Sequence, residues 1–132
     1  MKPYTLDNLQ AAKIEKNYIL VGKIAVFLMA SRPDIDTHLK AGMAYAWAQE
    51  MMGDWDEALK LYMLLEAVAP SAKMAAFMVA RRARVMRKLG RGETADKLLD
   101  SLSAEIATTI PDVADRRWVQ EHIRLARTGI GD

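Results

Sequence analysis

Gly53-Asp54-Trp55-Asp56-Glu57-Ala58-Leu59-Lys60-Leu61-Tyr62, closed by Pro70, reads as a tight turn followed by a helix. Glycine supplies the permissive backbone at the turn, and Asp54 with Glu57 forms an acidic version of a capping box. A weaker copy recurs 37 residues later, where Gly90, Ala95, Lys97 and Leu99 stand for Gly53, Ala58, Lys60 and Tyr62. The same step backwards matches Asn17-Tyr18 with Asp54-Trp55, Lys23 with Lys60, and Pro33 with Pro70. A fixed period in the thirties marks helical hairpins that cannot bury an apolar face alone and so pile on one another.

Working outward, apolar residues recur at helical spacing along the whole chain. The first helix opens at Thr5, a hydroxyl cap, and turns Leu6, Leu9, Ala12 and Ile14 inward. Whether residues 5–30 form one long helix or two is left open: the register asks for a turn at Lys16-Asn17, and no Gly or Pro enforces it. Pro33, with Asp34 and Asp36, closes this unit. A helix over Thr37–Met52 carries Met43, Trp47 and Met51 on one stripe. Trp55–Val68 buries Ala58, Leu61, Tyr62, Leu65 and Val68. Ser71 caps a helix over Ala72–Leu89, and a shorter one over about Thr94–Ala107 buries Leu98, Leu99, Leu102 and Ile106. The last opens around Pro111, carries Trp118, Val119, Ile123 and Ala126, and ends near Gly129. No stretch alternates with period two over strand length. The expectation is an all-α fold of stacked antiparallel hairpins (units about 5–33, 37–70 and 71–107) with a capping helix over about 111–128, forming one domain of 132 residues.

Composition narrows the classes. With 52% hydrophobic residues the chain is a packed protein, and with no cysteine it has neither disulfides nor thiolate metal sites. A net charge of +2 gives no general pull on nucleic acid. The apolar run Tyr18–Ala30 has thirteen residues with Lys23 in its middle, too short for a span of about 20 residues and unlike a secretory signal. The expected protein is soluble and cytoplasmic, with no membrane partner.

The turn and helix resemble the tetratricopeptide repeat, with Ala46, Gly53, Asp54, Trp55, Ala58, Tyr62 and Pro70 filling its small, turn, aromatic and closing positions in the middle unit. In the third unit Ala83, Gly90 and Ala95 survive, but Gly92 replaces the aromatic and Ala107 the proline. In the first, Tyr18, Lys23 and Pro33 hold, with Leu9 and Val21 at the small positions. The period of 37 departs from the family's 34. Small three-unit proteins of this kind are similar to the chaperones of bacterial type III secretion, which hold needle or translocator subunits soluble before export. The resemblance implies a non-catalytic protein-binding adaptor, its first helices lining a groove that accepts an apolar or amphipathic helix of a protein client.

Mapped through the register, that groove is lined by Met43, Trp47, Glu50 and Met51 in the middle unit. Phe77, Ala80, Arg84, Arg87 and Lys88, with Arg81 close by, line it in the third, and Leu6, Gln10 and Lys13 in the first. Methionine moulds to partner side chains and tryptophan anchors interfaces, although the same spacing also describes ordinary core. Arg81, Arg82, Arg84, Arg87, Lys88 and Arg91 form the densest charge cluster, able to fork onto a partner's carboxylates or simply to face solvent near a helix C-terminus. Acids interleave with Arg116, Arg117, Arg124 and Arg127, which weakens a phosphate-binding reading. His38 and His122 lie far apart, no serine has a nucleophile context, and no phosphate loop or cofactor motif is present. The alternatives are a structural subunit whose groove is filled by a second copy or a permanent partner, and a regulatory module contacting nucleic acid.

Overall fold

The computed structural model describes residues 4–31 and 34–129, and over these the chain is all-α. Seven helices follow one another among the described residues: α1 (Leu6–Ile14), α2 (Tyr18–Ala30), α3 (Ile35–Met51), α4 (Trp55–Ala67), α5 (Ala72–Lys88), α6 (Gly92–Thr109) and α7 (Val113–Thr128). Pro33, the expected stop of the first unit, lies outside the described residues.

The 37-residue step is written into the backbone. Ile14, Met51 and Lys88 end the first helix of each hairpin, and Tyr18, Trp55 and Gly92 begin the second. Between them Lys16, Gly53 and Gly90 take left-handed conformations, with φ of 56°, 83° and 79°. Each of these amides donates to the carbonyl three residues back, and the next amide to the carbonyl five back. Lys16 reaches Lys13 and Asn17 reaches Ala12, both at 3.0 Å. Gly53 to Glu50 (3.0 Å) with Asp54 to Gln49 (2.9 Å), and Gly90 to Arg87 (3.1 Å) with Arg91 to Met86 (2.9 Å), repeat the pattern. This is the Schellman closure, which satisfies carbonyls that a helix end otherwise leaves bare. Residues 5–30 are therefore two helices, broken by a turn that neither Gly nor Pro announces. Lysine bears the positive φ at Lys16, and the Asn17 side chain accepts from the Leu20 amide at 3.3 Å to start α2.

The other helix starts keep the same step. Asp34 and Ser71, both extended, cap α3 and α5 by accepting from the Thr37 and Met74 amides at 2.8 and 3.2 Å. Helix α3 thus begins two residues before the expected Thr37. The register stretches at α6, which runs through Ala107 to Thr109 instead of ending there. The missing proline at Ala107 permits this, since nothing removes an amide or crowds the preceding turn.

Contacts divide the chain into two compact units, Met1–Leu61 and Tyr62–Asp132, with the boundary inside α4. In the first, α2 packs on α1 and α3 around Leu9, Val21, Ile24, Leu28, Ala44 and Trp47. Alanines at 41, 44 and 48 let α3 lie close to its neighbours. In the second, α5 packs on α6 and α7 around Ala80, Ala83, Leu99, Ile106, Val119 and Ile123. Helix α7 is amphipathic, burying Val119, Ile123 and Ala126 and exposing Arg117, Gln120, Glu121 and Arg124. Two expected core residues lie outside: Ile14 at the last turn of α1 is 72% exposed and Val68 beyond α4 is exposed. Ile14 is the last residue of its helix and Val68 follows the last residue of its own.

Candidate protein-binding faces

The residues expected to line a groove are placed mostly in the core or in its bracing. Trp47 is only 8% exposed: Tyr18 meets its ring edge-on at 5.3 Å and the Lys13 ammonium lies 5.5 Å from its centroid. Met51 packs against the same apolar cluster, Met43 is half-buried and Glu50 is buried. The anchor role expected of Trp47 is corrected accordingly, because the ring faces α1 and α2 rather than an open surface. Helix α3 is buried nearly all round, so a four-residue spacing could not tell an outer stripe from an inner one.

In the second unit α7 covers the corresponding face of α5. Phe77 is buried against Trp118 and His122, at ring separations of 4.8 and 4.6 Å, and Trp118 and His122 meet edge-on at 4.6 Å. Arg81 is stacked over Phe77 at 4.9 Å, and Lys73 over Trp118 at 4.8 Å while it pairs with Asp115 at 3.1 Å. Cations over ring faces are stabilising, the more so when partly desolvated.

The basic cluster is likewise dispersed into structural work. Arg82 pairs with Glu66 at 2.7 Å and Arg84 is buried. Arg87 pairs with Asp96 of α6, and its Nε donates to the Ala126 carbonyl of α7 at 3.1 Å. An added Cβ on Gly92 would sit 3.2 Å from the Arg87 guanidinium, so the loss of the turn aromatic in the third unit makes room for this brace. Lys88 is half-buried and Arg91 exposed. The cluster is therefore no continuous carboxylate-binding wall. Ala80, expected on the same face, is buried in the α5–α6–α7 core.

An open apolar surface exists elsewhere, on the first unit. Tyr18, Ile19, Gly22, Lys23 and Val26 of α2, with Tyr45 and Gln49 of α3 and Met52 just beyond it, line a depression of about 470 Å³. Ile19 is 67% exposed, Val26 49% and Met52 44%. The repeat register assigns none of these residues to the groove, and the run Tyr18–Ala30 reads from sequence as a helix buried on most sides, which the exposure of Ile19, Lys23 and Val26 corrects. Further apolar side chains, Met63, Leu64 and Val68, are exposed on and after the C-terminal half of α4.

Among the described residues no group of three or more His, Asp or Glu side chains converges as a metal site, and no helix is long and apolar enough to cross a membrane. No family model, no curated protein and no solved structure matches this chain.

Proposed function

We propose that this chain is a non-catalytic adaptor of tetratricopeptide type that works in the cytoplasm and shelters an apolar helical segment of a protein client, in the manner of the small type III secretion chaperones. Two features support the reading. The three-fold recurrence of one turn geometry is what repeat scaffolds built for binding other chains use. The observation that carries it is the open depression flanked by Ile19, Val26 and Met52, apolar side chains gathered in water around one hollow.

Binding here is equilibrium capture. The client's apolar face leaves water against α2 and α3, and while it is covered it cannot pair with further copies of itself. The test is purification from the native cell, identification of the co-eluting protein by mass spectrometry, and reconstitution of the pair. A one-to-one complex in which the client stays monomeric is expected. A chain that forms a large assembly by light scattering with no client present would overturn the proposal in favour of a structural subunit.

A further inference from the structure

We infer that the α2–α3 depression is built for the close approach of a partner helix that carries a carboxylate beside its apolar stripe, with Gly22 as the contact point and Lys23 as the selecting charge. The inference rests on the adaptor reading and gives it a partner of defined chemistry.

Gly22 is the first observation. It sits in the interior of α2, where glycine is the least favoured ordinary residue, yet an added Cβ would meet nothing within 4 Å. The backbone there has helical geometry, with no positive φ to require glycine. The fold itself thus has no use for a missing side chain at this position. What lies above it is the depression, and a bare backbone in a helix surface is where another chain can come closest.

Charge is the second. Among the described residues lining the depression Lys23 alone is charged; it is exposed, and α2 contains no acidic residue. A second copy presenting the same helix would set lysine against lysine, whereas a carboxylate flanked by apolar side chains complements both the charge and the walls formed by Ile19, Val26 and Met52. The occupant is therefore a foreign helix, with apolar residues three and four apart and an Asp or Glu next to them.

The probe is a displayed library of stable single helices with randomised surfaces, selected against the full chain. Winners are expected to combine an apolar stripe with an adjacent carboxylate. They should lose at least about tenfold in affinity, or 1.4 kcal/mol, for Gly22→Met and for Lys23→Glu. Exchanging the winner's carboxylate for lysine should restore binding to Lys23→Glu. Gly22→Ala separates function from folding: it should raise the folding equilibrium about fivefold, as helix propensity dictates, while weakening the winners. Binders indifferent to both positions would overturn this face and leave the adaptor reading standing. Failure to obtain any helical binder would count against both. A wild-type dimer abolished by Gly22→Met would overturn the foreign-helix assignment, and a destabilised Gly22→Ala would show that the fold needs the glycine after all.

Discussion

Replacing Gly53 or Gly90 with alanine, and Lys16 with glycine, should move stability in opposite directions. All three residues hold a positive φ at the equivalent place in their hairpins. A non-glycine residue in this region costs roughly 1–2 kcal/mol. Alanine returns about 0.4–1 kcal/mol by restricting the unfolded chain. Nothing lies within 4 Å of an added Cβ at Gly53 or Gly90, so no clash enters and the effect is purely conformational. The net expectation is a loss of about 0.5–1 kcal/mol for each Gly→Ala and a gain of about the same size for Lys16→Gly. With a urea slope of about 1.5 kcal/mol/M, the midpoints should fall or rise by roughly 0.3–0.7 M at unchanged slope. Urea titration followed by far-ultraviolet circular dichroism reads this directly. If Lys16→Gly lowers the midpoint, or Gly53→Ala leaves it unmoved, the three left-handed turns are not equivalent and the argument for one repeated unit fails.

Other consequences can be checked on the same material. Trp47→Ala should cost about 3–5 kcal/mol, as for a buried aromatic, whereas an open contact would lose binding with little loss of stability; thermal unfolding decides. Arg87→Met should cost about 1–2 kcal/mol, a figure reduced because Asp96 is half in solvent, and should speed amide exchange at the C-terminal end of α7, where the Ala126 carbonyl loses its donor. Hydrogen bonding from Thr37, through its side chain and then its backbone amide, holds the Asp34 carboxyl below its ordinary 3.8. Its contribution is thus present above about pH 3.8 and lost as pH falls through the depressed value; Asp34→Asn, which caps at any pH, should flatten the acid limb of the stability profile.

Much of the fold was legible because turn chemistry and apolar period agree. Gly53 and Gly90 announce their turns, and Asn17 and Ser71 their caps, whereas the run of α6 past Ala107 to Thr109 was not foreseen. Lys16 was not legible as a left-handed residue, since lysine has no preference for that region and only the register pointed to it. The candidate binding surface was harder to read. Met43, Trp47 and Met51 obey the spacing of an outer stripe, but a helix flanked by neighbours on most sides satisfies that spacing on its inner faces too. Which arginines are free depends on acids distant in sequence, such as Asp96 for Arg87 and Glu66 for Arg82, and no local pattern announces those meetings. Tyr18–Ala30 reads as a helix buried on most sides; its composition does not say which apolar residues stay outside, and only the packing leaves Ile19 and Val26 in water.

Asp34 and Ser71 have one more bearing. Both are extended cap residues standing at equivalent points of successive hairpins, so a segment begun at either starts in the same backbone state. A cassette taken from Asp34 to Pro70 and spliced in ahead of Ser71 would therefore meet familiar chemistry at both seams. Lengthening in steps of a whole hairpin asks for no new joint, which gives such a chain a ready route to grow by tandem duplication.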